Sequence, residues 1–565
     1  MQKPLPSILG LIQQTLIRTK YNLAIAAFCM VVITALDLSF HHFVNDNYVF
    51  GLSAILKSGY YFLFLIVFAA TFMGRFFYVA FLMLIFAVSL FQMINFEYFG
   101  SYILPIHLVQ VAPDFLLIMS SLFEVLDEMT STLMMAGIAL LLILTVLVPL
   151  SRRRVVEPKS LMFILIVISC DFIGNYVFIE RNKAKLGEPS FVKLFPDINR
   201  LGADNAYRSA RYLMIGILPD RLAGKALDNP ALPAPQIVST PDANIILILN
   251  ETVRAQSLSV LGYEGNTTPA LEQIDGLFAR TIYAAGTMTR TSVAGLLNRL
   301  KHPGLGQQFV SQSNCLFRLA KQNGFATHFV YGYGQNAANT MLPYMCANSI
   351  DSIRVRSDAP PGQRNFDASL AYNLGQIDLD QRNFIVIAPR GARSPYADKS
   401  PVEFKTFDDE YHNAIFYSHH VVAELIEQIS SRSSKTTYIL YTADHGELLK
   451  GEDTKRGHGW FKSKVFGVPF LFLPVNHPDP DDVMAEAGKV RSHFDLATFA
   501  IRLMGYDVAV DNAREKVIYI NGSELSGLAG QLKLEFMDDD LRAVDLISGV
   551  GSVPTVPEAR IDSSG

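Results

Sequence analysis

The distribution of apolar residues divides the chain into an apolar first third and a mixed remainder. Before residue 180, long apolar runs follow one another, and most approach the roughly 20 residues that a helix needs to cross a bilayer. We therefore predict a transmembrane domain over residues 1–180. Its five predicted helices cover residues 22–40, 59–73, 76–96, 133–150 and 161–179.

The basic residues of this domain predict its orientation. With five crossings, one side of the membrane receives Lys3, Arg18, Lys20, Arg75, Arg152, Arg153, Arg154 and Lys159, and the short connections on the other side carry only Lys57. The positive-inside rule then places the amino terminus in the cytoplasm and everything after residue 179 outside it.

The connection between the third and fourth predicted spans contains no Lys or Arg over residues 97–132. Leu116, Met119 and Phe123 recur there at helical spacing, which predicts an amphipathic helix near residues 114–130. Such a helix could lie in the membrane interface or pack among the other spans.

The second half of the chain alternates short apolar runs with helical patterns. Strands are predicted at residues 244–249, 326–331, 383–388, 436–441 and 468–473, and helices at 370–377 and 413–429. This alternation is typical of an α/β domain with a mostly parallel sheet and helices on both faces, which we assign to residues 243–545. Residues 181–242 are predicted as a linker with a short helical patch at 200–214, and the Ser- and Gly-rich residues 546–565 as a disordered tail.

Composition excludes some functional classes. The net charge of the 565 residues is −4, and no basic, aromatic-rich stripe is present, so the sequence does not indicate nucleic-acid binding. The four cysteines show no CxxC zinc pattern. Cys315 and Cys346 both follow the membrane spans, and they could form one disulfide in an oxidising compartment.

Acidic and imidazole side chains follow two of the predicted core strands. Asp444, His445 and Glu447 come directly after strand 436–441, and Glu251 comes after strand 244–249. The carboxyl ends of strands in open α/β sheets are where ligands bind, and carboxylates with an imidazole suit zinc. An Asp that caps a helix beside a packed His would explain one such strand end, but two favour a functional site.

The order and spacing of several motifs resemble a known family. The set resembles the bacterial phosphoethanolamine transferases of the alkaline phosphatase/sulfatase superfamily, which modify lipid A and envelope glycans. Members have five membrane spans and a periplasmic catalytic domain, which implies a multi-pass protein of the bacterial inner membrane. The motifs that carry the resemblance are 251–255 (ETVRA), 262–263 (GY), 267–271 (TTPAL), 285–293 (AGTMTRTSV), 444–447 (DHGE) and 457–459 (GHG).

The resemblance implies a metal site and a nucleophile. Thr289 would be the nucleophile, because contact with Zn²⁺ stabilises the alkoxide of a hydroxyl that is otherwise weakly reactive. The donor would be phosphatidylethanolamine, the acceptor a hydroxyl of an envelope lipid or glycan, and the protein a monomer. The implied zinc ligands are Glu251, Thr289, Asp444 and His445.

Three further residues receive roles from the resemblance. His458 matches a histidine near the phosphoryl group, as a donor-binding group or general acid, although it could also be a solvated loop residue. Glu447 matches an acid beside a second metal, or it caps the next segment. Arg393 stands where the family usually has a histidine, so we expect it to bind phosphate through its guanidinium fork and not to bind zinc.

Two alternative functions remain open from the sequence. A phosphoglycerol transferase of the same superfamily would use the same metal and threonine with a different lipid donor. A membrane-anchored binding or regulatory protein could keep the fold without catalysis. A sulfatase fits less well, because residues 289–293 lack the Cys/Ser-x-Pro-x-Arg sequence that this reaction requires.

Overall fold

In this computed structural model the chain divides into two compact units, formed mainly by Met1–Ala223 and by Gly224–Leu449 with Gly457–Gly565. The structure describes residues 20–44, 75–99, 102–103, 130–151, 169, 173–174, 177, 202–212, 214, 232–301, 313–364, 367–453, 456–508, 517–522, 531–537 and 540–547.

The described part of the first unit is helical. Three long helices, α1 (Lys20–Val44), α2 (Arg75–Phe99) and α3 (Thr130–Ser151), share one apolar cluster that includes Ile33, Tyr78 and Ile143. A shorter helix, α4 (Gly202–Tyr212), begins where the amide of Gly202 donates a hydrogen bond to Asp37 Oδ2 at 2.8 Å. These helices coincide with the first, third and fourth predicted spans and with the helical patch of the predicted linker.

The prediction of five membrane-spanning helices is not confirmed. Within the described residues, one helix, Phe76–Glu97, has the length and composition to cross a membrane, and the shorter apolar helices are Ala27–Phe40 and Thr130–Thr145. The predicted span at 59–73 and nearly all of the span at 161–179 lie outside the described residues. The same is true of the interfacial helix near 114–130, save Thr130, and of the tail beyond Ile547.

The second unit is built on a mixed seven-stranded sheet with the order β3-β8-β7-β2-β6-β4-β5. Strands β7, β2, β6, β4 and β5 are parallel, whereas β8 runs antiparallel to both of its neighbours. The strands are β2 (Ala243–Asn250), β3 (Phe278–Tyr283), β4 (Ala326–Tyr331), β5 (Ser352–Val355), β6 (Asn383–Ala388), β7 (Thr436–Ala443) and β8 (Gly467–Val475).

Helices cover both faces of this sheet. Strand β2 is buried along its whole length, and its side chains alternate between two apolar cores, with Leu247 in one and Ile248 in the other. The helices are α5 (Pro269–Glu272), α6 (Thr289–Leu297), α7 (Leu316–Gln322), α8 (Gln335–Met341), α9 (Ala368–Gly375), α10 (Glu410–Arg432), α11 (Ser463–Phe466), α12 (Pro480–Ala487) and α13 (His493–Leu503). Residues of α6, α7 and α13 belong to the core of Leu247, and residues of α9 and α10 belong to the core of Ile248.

The mostly parallel α/β prediction is confirmed, and the strands at 326–331 and 383–388 have the predicted bounds. Strands β3 and β5 were not predicted, because their burial is incomplete and they lack a continuous apolar run. Two small antiparallel sheets were not predicted either. One pairs β1 (Gln236–Ile237) with β9 (Tyr506–Asp507), and the other joins β10 (Val517–Asn521), β11 (Gln531–Met537) and β12 (Asp540–Ile547).

Cys315 and Cys346 are joined in a disulfide that links the start of α7 to the segment after α8. The free cysteine of the described residues is Cys29 in α1.

Candidate active site

The two strand ends that carry the acidic residues are neighbours in the sheet. Strands β2 and β7 are parallel and in register, with Asn250 opposite Ala443. The next residues, Glu251 and Asp444, therefore leave the sheet at the same edge, and the amide of Asp444 donates a hydrogen bond to the carbonyl of Asn250 at 2.9 Å. The register alone brings together two acids that are 193 positions apart in sequence.

The backbone next to Glu251 fixes the orientation of Asp444. Thr252 has a left-handed conformation with φ of 58°, which is unusual for a β-branched residue and costs about 1–3 kcal/mol. Its amide donates to Asp444 Oδ1 at 2.9 Å, and the amide of His445 donates to the same oxygen at 2.7 Å. Asp444 Oδ2 therefore remains for another partner, and it is buried without a hydrogen bond among the described residues.

Thr289 reaches the same point from a third element. It is the first residue of α6, and its Oγ1 donates to Glu251 Oε1 at 3.1 Å and lies 3.2 Å from His445 Nε2. Because the amino-terminal end of a helix carries partial positive charge, negative charge that develops on this oxygen or on a nearby phosphoryl group is stabilised there.

The arrangement fits a divalent cation. Potential ligand atoms of Glu251, Asp444 and His445 all lie within 4.8 Å of one another, including a His445 Nε2–Asp444 Oδ2 distance of 3.4 Å. His445 Nδ1 donates to the carbonyl of Gly446 at 2.9 Å, which leaves the lone pair of Nε2 directed at the site. Zinc binds oxygen and nitrogen ligands at about 2.0–2.2 Å, so the unpartnered Asp444 Oδ2 is a natural ligand position.

The electrostatics also indicate that a positive charge belongs here. Burial, and then the neighbouring Glu251 carboxylate, raise the pKa of Asp444 well above its usual range. Burial, and then nearby His458, lower the pKa of His445 well below its usual value, so its imidazole is neutral. A buried carboxylate beside another acid is stabilised by a bound cation.

Arg393 lies beside the candidate metal ligands. Gly391 has φ of 59°, and a Cβ there would come within 2.2 Å of the carbonyl oxygen of Glu251, so only glycine allows this close approach. The amide of Ala392 donates to that carbonyl at 3.0 Å, and Arg393 Nη1 lies 3.9 Å from Glu251 Oε2. The Arg393 side chain is 35% exposed, so an incoming anion can reach it.

Glu447 and His458 form the other side of the site. Paired backbone hydrogen bonds between Leu448 and Gly457 close the intervening loop, and His458 Nδ1 then lies 3.4 Å from Glu447 Oε1. The rings of His458 and His445 are 4.4 Å apart. Glu447 Oε2 and His458 Nδ1 are buried without hydrogen-bond partners among the described residues.

All seven residues singled out in the sequence therefore lie around one point, while their individual roles stay predictions. The sequence analysis missed Thr252, Ser292 and His493. Ser292 Oγ donates to the carbonyl of Asp444, and buried His493 lies 3.1 Å from Ser292 Oγ and accepts from the amide of Ala285 at 3.2 Å. No pattern in a single sequence could have identified His493, because it follows Asp444 by 49 positions and belongs to another helix.

The second unit is similar to known proteins. Residues 243–506, which include the seven-stranded sheet, match the family model described as Sulfatase. The resemblance to phosphoethanolamine transferases is confirmed.

Two curated relatives are phosphoethanolamine transferases. The Kdo(2)-lipid A phosphoethanolamine 7''-transferase of Escherichia coli (strain K12) is 26% identical over 258 residues, which covers 41% of this chain and 44% of the relative. Phosphoethanolamine transferase EptA of Salmonella typhimurium is 22% identical over 320 residues, covering 53% of this chain and 56% of EptA. The chain thus matches about half the length of these curated relatives.

A solved structure is similar over most of the chain. The integral membrane protein lipooligosaccharide phosphoethanolamine transferase A (EptA) from Neisseria meningitidis aligns with a TM-score of 0.55 and 14% sequence identity. The alignment covers 87% of this chain and 96% of that one, which shows that the fold is shared.

Proposed function

We propose that this protein transfers phosphoethanolamine from phosphatidylethanolamine to a hydroxyl group of a cell-envelope lipid or glycan. The observation that carries the proposal is the position of Thr289 Oγ1, within 3.1 Å of Glu251 and 3.2 Å of His445, at the amino-terminal end of α6. A hydroxyl in contact with a carboxylate, a neutral imidazole and a helix amino terminus suits nucleophilic attack on phosphorus.

The metal would be held by Glu251, Asp444 and His445 with Thr289 as the fourth ligand. A zinc ion bound there would supply Lewis acidity that favours the alkoxide form of the threonine. Asp444 Oδ2 and His445 Nε2 are already oriented by backbone hydrogen bonds, so little reorganisation is needed on binding.

The first step forms a bond between Thr289 Oγ1 and the phosphorus of the donor. The bond from phosphorus to the diacylglycerol oxygen breaks, and that oxygen takes a proton, for which His458 is the available acid. The proton of the threonine hydroxyl leaves toward Glu251 Oε1, which accepts its hydrogen bond. Diacylglycerol departs and phosphoethanolamine remains on Thr289.

The second step reverses the use of these groups. The acceptor hydroxyl loses its proton to His458 and attacks the phosphorus. The bond from phosphorus to Thr289 Oγ1 breaks, and Oγ1 takes back the proton held by Glu251, which restores the free enzyme. Arg393 lies beside Glu251 and can bind a phosphoryl oxygen in both steps. The reaction therefore needs no water, and free hydrolysis is a competing side reaction.

Labelled phospholipids test the donor. The purified full-length chain is incubated with vesicles that contain phosphatidylethanolamine or phosphatidylglycerol labelled in the head group, and the label on protein and on diacylglycerol is followed. We expect loss of the ethanolamine head group and a labelled wild-type protein, with no label on a Thr289→Ala variant. Exclusive use of phosphatidylglycerol would establish the alternative, a phosphoglycerol transferase, and use of neither lipid would support a protein without catalysis.

The acceptor requires a cellular experiment. Mass spectrometry of envelope lipids and glycans, with and without the gene, should reveal one species that loses a phosphoethanolamine group. Because the chemistry uses lipid substrates, we propose that the chain is a multi-pass inner-membrane protein with its catalytic domain in the periplasm. A protease added to intact spheroplasts should then cleave the domain that begins near residue 243.

A further inference from the structure

A cavity of about 410 Å³ lies in the catalytic domain, between the strand end that precedes α6 and helix α13. It is lined by parts of β3, the segment after α6, helix α13 and strand β10, and none of the seven predicted site residues lines it. Its volume falls in the range of small-molecule binding sites, which is about 300–1,000 Å³.

The charged residues around this cavity are mainly basic. The basic residues Arg299, Lys301, Lys489 and Arg502 line it, against two acids, Glu486 and Asp495. Both acids already have partners, because Glu486 pairs with Lys489 and with Arg502 at 3.3 Å. Asp495 accepts hydrogen bonds from the amide of Arg491 at 3.1 Å and the hydroxyl of Ser492 at 3.0 Å.

Arg299 is the most unusual of these residues. It is only 5% exposed, and its guanidinium donates to the neutral side chains of Thr498 at 2.9 Å and Asn314 at 3.3 Å. No carboxylate forms an ion pair with it within the described part of the chain. Burial and nearby Arg502 lower the pKa of Arg299 to about 10, which still leaves it charged at neutral pH.

A buried charge that forms no ion pair among the described residues is costly, and it is stabilised when an anion binds. The Asp495 carboxylate offsets the charge of Arg299 only in part, and it already accepts two hydrogen bonds of its own. The backbone supports a functional interpretation, because Arg299 is held at φ of 49°, a strained conformation for a non-glycine residue. A guanidinium fork matches two oxygens of a phosphate group better than it matches a monatomic anion.

The size and remaining lining of the cavity indicate more than a free phosphate ion. A water molecule occupies about 30 Å³ in the liquid, so a phosphate alone would leave most of the 410 Å³ unfilled. The aromatic rings of Tyr283, Phe494, Phe499 and Tyr519 also line the cavity, and such rings pack against the apolar face of an organic ligand.

We propose that this cavity binds a phosphorylated sugar of about one monosaccharide in size, with Arg299 as the main phosphate-binding side chain. Ala285 lines the cavity four residues before Thr289, and four residues span at most about 14 Å. A bound sugar would therefore lie near the nucleophile and belong to the acceptor. Only that last interpretation depends on the proposed transferase function.

Binding of simple probes tests the proposal without any measurement of transfer. The zinc-loaded full-length chain in a phosphate-free detergent buffer is titrated by calorimetry with glucose 6-phosphate, inorganic phosphate and glucose. We expect glucose 6-phosphate to bind most tightly. Equal affinity for inorganic phosphate would overturn the sugar assignment, and equal affinity for glucose would overturn the anion assignment. Absence of binding by glucose 6-phosphate would overturn the whole proposal.

Variants then locate the bound probe. Arg299→Gln keeps a hydrogen-bonding side chain without the charge and should weaken binding about 10- to 100-fold. Arg502→Gln, at a partly exposed position, should weaken it about threefold and tests the same cavity even if the buried Arg299→Gln variant fails to fold. Lys405→Gln, which removes a positive charge that pairs with Glu410 away from the cavity, is the matched control and should change nothing.

Asp444→Asn separates the cavity from the candidate metal site. Binding of glucose 6-phosphate should survive this substitution, because Asp444 does not line the cavity. Loss of binding in Asp444→Asn, with unchanged binding in both arginine variants, would show that the probe occupies the metal site and would overturn the proposal. These binding measurements do not depend on transfer, so they test the cavity even if the transferase assay shows no activity.

Discussion

Helix α6 connects two charged sites of opposite sign. At its first residue, Thr289, two carboxylates and an imidazole converge, and Asp444 Oδ2 has no hydrogen-bond partner among the described residues. Two residues beyond its last residue, Arg299 carries a buried positive charge that contacts only neutral hydrogen-bond partners. We propose that the acidic end binds a cation and that the basic end binds an anion.

The difference between the two ends lies in how each is held. The acidic end is fixed by backbone hydrogen bonds at the ends of two adjacent parallel strands. The basic end is held by side chains from separate elements, Thr498 of α13 and Asn314 before α7. Changes at the acidic end should therefore affect the chemical step and metal binding, whereas changes at the basic end should affect stability and ligand affinity.

Substitution of Thr289 should have the largest effect. Thr289→Ala removes the oxygen that would carry the phosphoethanolamine group, so transfer from labelled lipid should fall at least about 1,000-fold, or about 4 kcal/mol in the barrier. Thr289→Ser keeps the oxygen and should retain measurable transfer. A thermal melt serves as the folding control. If Thr289→Ala turned over lipid as fast as the wild type, Thr289 would not be the nucleophile. The acidic end of α6 would then not be the site of the chemical step.

Metal removal should destabilise the acidic end. With metal present at about 1,000 times its Kd, binding stabilises the folded domain by about 4 kcal/mol, so chelation should lower the Tm by roughly 10 °C. Asp444→Asn should abolish this metal-dependent shift. Glu447→Gln should preserve it if Glu447 belongs to the donor side of the site. The Tm is measured by differential scanning fluorimetry. A metal-dependent Tm shift in Asp444→Asn as large as that of the wild type would contradict the proposed set of metal ligands.

Loss of the disulfide should affect the basic end more than the acidic end. Cys315 follows Asn314, which contacts Arg299, and Cys346 Sγ lies 3.6 Å from Asn298. For a separation of 31 residues, the loop-entropy estimate of the stabilisation is about 4 kcal/mol. Replacement of both cysteines by serine should lower the urea midpoint while the metal-dependent Tm shift persists, and Cys29→Ser is the control. An unchanged urea midpoint would show that the bond is not formed in the mature protein.

Among these four changes (Thr289, the metal, the disulfide and Arg393), substitution of Arg393 should have the smallest effect. Arg393→Ala removes a guanidinium beside Glu251 and should raise the KM for donor lipid about tenfold, with zinc content unchanged. Arg393→Lys keeps the charge but not the fork, so it should recover only part of the loss. An equal loss of zinc in Arg393→Ala, measured by metal analysis, would mean that the residue organises the metal ligands and not the donor.

Much of the catalytic domain could be predicted from the chain because its core strands are buried on both faces. Strands β4 and β6 read as continuous apolar runs with clear ends, and their bounds followed directly. Strand β3 is only partly buried and contains Arg280, so its pattern did not separate it from a loop. The antiparallel direction of β8 was equally invisible, since a fully buried strand has the same composition in either direction.

Only those residues of the candidate site that belong to local sequence motifs could be predicted. The positions of Glu251, Asp444 and His445 after apolar strands predict that they belong to a site. Thr252 could not be predicted, because its role depends on a left-handed backbone, and neither could His493, because its contacts depend on how α13 packs. The excess of basic over acidic side chains around Arg299 likewise depends on three separate segments, which meet only in the folded chain.

The sequence by itself determined which residue types stand at the ends of the core strands, and it determined the apolar runs that bury those strands. Only the tertiary structure decided that Asn250 pairs with Ala443, so that Glu251 and Asp444 emerge side by side. It also decided that Arg299 is buried and that, among the described residues, it donates hydrogen bonds only to neutral side chains. The physical reason is that burial and hydrophobicity follow local composition, whereas register and charge compensation depend on segments that meet only in the folded chain.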